Sequence, residues 1–253
     1  TGAAEMTALE AASKRSFVVN AQVGAVDVRN LADPTQPVHI GRIDATAVLA
    51  GAEINSVAVH NGIVAVAIQA PVKTDNGRMA LYKASDLTLL GSVAVGALPD
   101  MVTFTPDGRT VLVANEGEPS DDYQIDPEGS VSVIDVSDPT KPVARTADFT
   151  AFNGQEAALR AKGVRIFGPG ANAAKDFEPE YIAVSADGKT AWVTLQENNA
   201  LAKIDITTAK VTDVIALGYK DHGVAGNELD VSDTDLKADI KTWPGLRGLY
   251  LPD

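Results

Sequence analysis

The chain reads as an all-β protein: a β-propeller of four-stranded antiparallel blades, with about four blades and the start of a fifth among its 253 residues. Three observations lead there. Short β-branched runs are bounded by Asp-Gly, Pro and Gly, as in Met101–Phe104, the turn Thr105-Pro106-Asp107-Gly108-Arg109-Thr110, and Val111–Ala114, which is the pattern of hairpin-connected strands. Aromatic residues make up only 5% of a chain rich in Val, Ala, Thr, Asp and Gly, a composition that favours strands over long helices. The unit also recurs at a period of roughly 40–50 residues, the mark of a repeat architecture. A β-sandwich is the alternative, but its strands do not repeat at this period.

Taken in order, the first unit spans approximately 2–50, with runs at Glu5–Leu9, Ser16–Asn20 and Ala25–Arg29, and closes on Asp33-Pro34-Thr35-Gln36-Pro37-Val38. The second, 51–97, has Ile54–Val59, Ile63–Gln69, Arg78–Lys83 and Leu89–Val95. The third, 98–149, opens on Leu98-Pro99-Asp100, and its strand Ser130–Val136 runs into Asp138-Pro139-Thr140-Lys141-Pro142-Val143, nearly the hexapeptide of the first unit. The fourth, 178–217, has Glu180–Val184, the turn Asp187-Gly188, Ala191–Gln196, Ala200–Ile206 and Val211–Leu217. Leu251-Pro252-Asp253 echoes Leu98-Pro99-Asp100 and begins a fifth unit. Insertions fall at 117–129, 148–177 and 218–250. Helical spacing is visible at Gln155–Lys162, with Ala157, Ala158, Leu159 and Ala161 inward, and around Asp233–Lys241. Trp192 alternates inward as a core residue, and Trp243, before Pro244, pins its loop.

Leu98 to Asp135 and Lys162 to Ile206 contain two long irregular motifs, Ala114-Asn115-Glu116-Gly117-Glu118-Pro119 and Thr194-Leu195-Gln196-Glu197-Asn198-Asn199-Ala200-Leu201. On these the chain resembles the choice-of-anchor I proteins, over nearly all of its length. The resemblance implies an exported or surface bacterial propeller, extracellular, periplasmic or cell-surface, often labelled alkaline-phosphatase-like. It also implies a propeller that continues past Asp253. A half-blade ending there leaves an open edge, so the expectation is a fragment, or one half of a nicked protein whose remaining blades lie on another chain. Thr1-Gly2-Ala3-Ala4 is compatible with a mature end left by signal removal.

Strand polarity locates the working face. An inner strand starts, and the antiparallel second strand ends, at the same face of the disc. Inner strands begin at Glu5, Asn55, Asp100, Glu180 and Asp253, and second strands end at Asn20, Gln69, Asn115-Glu116 and Gln196-Glu197. All are carboxylates or carboxamides. The three insertions emerge on this face too, and long loops on a regular scaffold are where function concentrates. Glu5, Asp100, Glu116, Glu180, Glu197 and Asp253 are therefore candidate metal ligands. Their oxygens suit Ca²⁺, which takes roughly 6–8 of them; channel water or a ligand group are the alternatives.

The acidic loop Glu116, Glu118, Asp121, Asp122, Asp126, Glu128 is a second cation candidate, balanced by a reading as a solvated, proline-held loop. Asp230-x-x-Asp233-x-Asp235 is a weak match to a Ca²⁺ loop, lacking the expected Gly and Glu. Lys220, His222 and Arg165, with Lys175, are the nearest candidates for ligand or phosphate contacts.

Net charge is −13, which repels phosphate backbones and argues against nucleic acid. No cysteine is present, so disulfides and thiolate chemistry are excluded. No apolar run approaches the ~20 residues of a membrane helix. Gly-x-Ser-x-Gly, Walker and His-Glu-x-x-His motifs are missing. Two functions compete: a binding or scaffold module with a Ca²⁺-binding face, whose partner is a protein, glycan or phosphorylated small molecule, and a Ca²⁺-dependent phosphoesterase of alkaline-phosphatase or phytase type.

Overall fold

The computed structural model describes residues 4–170, 172–232 and 234–252. Four sheets of four strands follow one another along them. Strands β1 (Ala4–Glu10), β2 (Arg15–Asn20), β3 (Ala25–Asn30) and β4 (Val38–Asp44) form the first blade, and β5 (Glu53–His60), β6 (Ile63–Gln69), β7 (Asn76–Lys83) and β8 (Leu89–Ala97) the second. The third comprises β9 (Pro99–Phe104), β10 (Thr110–Asn115), β11 (Ser130–Asp135) and β12 (Val143–Asp148). The fourth comprises β13 (Pro179–Val184), β14 (Thr190–Leu195), β15 (Ala200–Asp205) and β16 (Lys210–Ala216). Every pairing is antiparallel between sequence neighbours. This is the propeller blade expected from the repeat.

The tight turns are built by their own side chains. Asp107 Oδ1 accepts from Thr105 Oγ1 at 2.7 Å and Arg109 N at 3.1 Å, with Gly108 at φ +69°. Asp187 repeats the arrangement with Ser185 Oγ at 2.6 Å and Lys189 N at 3.1 Å, and Gly188 sits at φ +68°. A left-handed residue in each hairpin is why glycine follows the aspartate. Asp33 and Asp138 accept from Thr35 and Thr140 in the same way, each at 2.6 Å, so the Asp-Pro-Thr turns are architectural.

Period-2 alternation gives every blade two apolar faces, and successive blades bury them against each other. Phe17, Val19 and Val28 pack on Ile54, Val66 and Ile68 between the first two blades. Ala65, Met79 and Leu81 meet Val102, Val111 and Ile134 between the second and third. Leu112, Ala114 and Val133 meet Ile182, Val193 and Ile204 between the third and fourth, joined by Phe149, Leu159, Val164, Ile166 and Phe177 from the intervening insertion. Each large apolar side chain buried this way contributes about 1.5–3 kcal/mol. At the blade edges Arg15 donates to the carbonyls of Ala84 and Ser85, and Arg145 to those of Ile206 and Thr207.

Register equates Phe17, Ala65, Leu112 and Trp192 in the four second strands. The first three are fully buried by the next blade, whereas Trp192 is 38% exposed. The inward reading of Trp192 is thus corrected: it lies on the face of the fourth blade opposite Val193 and Ile182.

The insertions are mostly irregular. Helix α1 (Glu156–Ala161) buries Leu159, while Ala157, Ala158 and Ala161 stay exposed. Helix α2 (Ala173–Asp176) is capped by Asn172, whose side chain accepts from Lys175 N. The expected helix around 233–241 is not formed in its described residues. Asp230 instead accepts from Ser232 N and Asp239 N, and Lys241 pairs with Leu229. A short ladder of β17 (Lys220–Asp221) and β18 (Arg247–Gly248) closes the last insertion.

Candidate functional site at the acidic face

Each inner strand breaks its register once, near its start. In β5 the register passes from Ile54↔Ile68 to Ser56↔Ala67, leaving Asn55 extra. In β9 it passes from Pro99↔Asn115 to Met101↔Ala114, leaving Asp100 extra. The shift in β13 takes in Glu180 and Tyr181, and that in β1 takes in Glu5 and Met6. A bulge bends its strand and re-aims the extra side chain, and bulges concentrate at sheet rims and functional sites. The first residues of successive repeats are thus set apart from the in-out alternation.

The carboxamides at this end are engaged with protein groups, mostly inside their own blades, and one bond crosses to the next blade. Asn55 Nδ2 donates to Gln69 Oε1 at 2.9 Å and across to Pro99 O at 3.1 Å. Fully buried Asn115 donates to the hydroxyls of Ser130 at 3.2 Å and Ser132 at 2.9 Å. Asn20 donates to Asp27 at 2.9 Å.

The carboxylates do something different. Burial, and then the charges of Glu118, Asp100, Glu180 and Glu178, push the Glu116 carboxyl up to about 9. Burial, followed by Glu197, Glu118, Asp176 and Asp126, pushes Glu178 up to about 7. Like charges crowded into a partly dry site favour the protonated form. Asp100, Glu116, Glu180 and Glu197 therefore belong to one acidic assembly, with Glu118 and Glu178 as further members. The side chain of Glu5 and residue Asp253 lie outside the described residues.

The insertions wall this assembly. Asp176, buried, accepts from Phe167 N at 3.1 Å, and Asn198 Nδ2 donates to Asp176 O at 2.7 Å and Arg165 O at 2.9 Å. Gly129 N donates to Ala174 O at 3.0 Å, and a Cβ at Gly129 would lie 1.9 Å from Phe177 O. Only glycine permits that approach of two insertions. Between them opens a cleft of about 260 Å³ lined by Lys73, Glu118, Tyr123, Phe167, Glu178 and Glu197, among others.

Arg165 reaches the rim of this cleft. Its guanidinium lies 3.6 Å from the centroid of Phe167, and Nη1 donates to Glu197 O at 3.0 Å. Lys175 borders the neighbouring hollow with Asp126, Tyr123 and Phe167. Lys220 and His222 stand apart from the cleft, in the last insertion. Lys220 pairs with Gly248, and His222 Nδ1 lies 2.7 Å from Asn227 O. Asp230 and Asp235 support turns by accepting from backbone N–H groups, and Asp233 lies outside the described residues. Trp243 does pin its loop, donating from Nε1 to Leu229 O at 2.9 Å.

Sequence reading missed Glu178, Phe167 and Lys73. Glu178 directly precedes the Pro179-Glu180 start of an inner strand, and that position was the available signal. Phe167 and Lys73 arrive from two separate loops and carried none. Among the described residues, no group of three or more His, Asp or Glu side chains stands in metal-holding geometry.

Comparison with known proteins agrees with this architecture. The choice-of-anchor I domain family matches residues 5–253. No curated protein is similar enough in sequence to count as a relative. The β-propeller domain of Cps50 (Swd1) from Myceliophteria thermophila superposes with a TM-score of 0.54 at 14% identity, over 86% of this chain and 57% of that one. A chain of the mitotic checkpoint complex gives 0.53 at 12% identity, over 84% and 51%. The chain thus spans little more than half the length of these structures, and at such identities the likeness is one of fold.

Proposed function

This chain belongs to the choice-of-anchor I family, and we propose that it is a propeller module of the bacterial cell surface or exterior that binds through its acidic face, with Ca²⁺ neutralising the inner carboxylates. One observation carries the reading. Glu116 is half-buried beside Asp100, Glu118, Glu178 and Glu180, and its carboxyl is raised to about 9. Like charges crowded into a partly dry site cost free energy, and a hard divalent cation relieves that cost with the oxygen ligands it prefers. Asp100, Glu116 and Glu180 are the residues that would hold the ion. Their donor chemistry fits Ca²⁺, and the side chains must draw together to reach it.

A phosphoesterase on the same face is the second reading, supported by Arg165, Lys73 and Lys175 around the cleft. It ranks below the first because Lys73 is already paired with Glu118 at 2.9 Å and Asp121 at 3.5 Å. A phosphoryl group needs cationic stabilisation that the remaining carboxylates oppose.

Thermal melting with Ca²⁺ and with EDTA, beside an assay of phosphomonoester and phytate hydrolysis, separates the two. The expected result is a midpoint raised by Ca²⁺, lowered again by EDTA, with no turnover. Turnover abolished by Glu116→Gln or Glu180→Gln would reverse the ranking.

A further inference from the structure

The cleft beside the inner carboxylates has two kinds of wall. Tyr123 and Phe167 form an aromatic side, 48% and 46% exposed. Glu118, Glu178 and Glu197 form an acidic one. The cations at its rim are already engaged: Lys73 with Glu118 and Asp121, Arg165 with the Phe167 ring and the Glu197 carbonyl. Glu178 and Glu197 have no ion pair among the described residues. Glu197 Oε2 is buried and accepts no hydrogen bond among them, an arrangement that costs free energy and that a turn of the carboxylate toward a donor in the cleft relieves.

Ligand classes can be told apart on these terms. An anion meets excess negative charge. A bare metal ion uses oxygens but gains little from ring faces. A neutral sugar can stack on the rings but leaves both carboxylates without a counter-charge. A flat organic cation on a flexible stem uses everything present, stacking on an aromatic face while its N–H groups reach carboxylate oxygens. Arg165 already shows a guanidinium lying on Phe167.

We propose that this cleft receives an arginine side chain from a partner protein, its guanidinium held by Glu197 and Glu178 against Phe167 and Tyr123. The proposal rests on the reading that the acidic face is the binding face, and it names the partner chemistry of that face.

The test is an NMR titration of the 253-residue chain, with EDTA present throughout, using a capped Gly-Gly-Arg-Gly-Gly peptide. Its citrulline counterpart, the same shape without the charge, serves as comparison, and free spermidine as a third probe. Saturable shifts at the amides of Phe167, Gly168 and Glu197 are expected with the arginine peptide. Binding should weaken about tenfold or more with citrulline and with Glu197→Gln, the size expected for one charge-assisted contact. Phe167→Leu, which keeps bulk under Arg165, should weaken it less. Equal binding of the arginine and citrulline peptides, or no saturation by about 10 mM, overturns the proposal. Tighter binding of spermidine than of the peptide overturns the assignment to a protein partner. Because EDTA is present, failure of the Ca²⁺ reading leaves this result intact. Failure here, in turn, leaves the Ca²⁺-dependent melting untouched.

Discussion

Asp100 and Glu180 occupy the same place in consecutive blades, each within a bulge at the start of its inner strand, and the charge of each bears on the Glu116 carboxyl. Repetition of one backbone irregularity thus gathers acidic side chains from separate repeats.

Glu116→Gln should raise the thermal midpoint of the metal-free protein at pH 8, because the amide keeps the shape and spares the chain the proton uptake that burial and four neighbours impose on Glu116 as it folds. The same change should blunt the response to Ca²⁺. Calorimetry of both proteins, with and without the ion, measures both effects.

Stability in EDTA should fall as pH rises. Folded Glu116 keeps its proton to about pH 9, whereas unfolded it releases it near the ordinary 4.5. The folded state therefore binds the extra proton between these values, and stability declines with pH across that window. The contribution is complete below pH 4.5 and gone above about 9, and Glu178 adds the same trend up to about 7. Urea melts at pH 5, 7 and 9 give the slope, and Ca²⁺ should flatten it. A stability that rises from pH 5 to 9 in EDTA would be the wrong sign.

Asn198→Ala should cost about 2–3 kcal/mol. Its side chain is fully buried and donates to Arg165 O, Asp176 O and Asp176 Oδ2, so its loss leaves three acceptors short of a donor. Denaturant unfolding measures the loss. Hydrogen exchange should rise first at Phe167 and Gly168, whose N–H groups donate to Asp176.

Leu112→Ala and Trp192→Ala should differ in spite of their equivalent positions. Leu112 is fully enclosed by the fourth blade, so truncation should cost about 2–5 kcal/mol. Trp192, 38% exposed, should lose less than Leu112 despite its larger ring. Urea unfolding of this chain tests the pair, and a larger loss at Trp192 would contradict the packing described.

The propeller was legible because hairpin turns and apolar runs are local, and Asp107-Gly108 and Asp187-Gly188 announce the same turn twice. Strand direction alone places Asp100, Glu116 and Glu180 at the same end of their blades. The bulges were not legible: one extra residue at Asp100 or Glu180 leaves no trace in an alternation read over so few residues. Trp192 was misjudged because alternation tells which residues share a face, while burial depends on what packs against that face. The roles of Asn55 and Asn115 were hidden too, since only the fold reveals that their amide N–H groups reach Gln69, Pro99 and the serines. Lys73 and Phe167 meet Glu178 and Glu197 from loops far apart in the chain, a meeting no motif could encode. The stretch 234–241 has helix-forming residues, but the Asp230 carboxylate and the Leu229–Lys241 pairing bind its backbone into turns.

The most direct test is a crystal structure grown in millimolar Ca²⁺ at pH 8, inspected by anomalous difference density at the mouth of the inner strands. The account predicts one strong peak within about 2.3–2.6 Å of carboxylate oxygens from Asp100, Glu116 and Glu180. A mouth holding only water, with the Glu116 carboxyl still protonated and hydrogen-bonded to its neighbours, would contradict it.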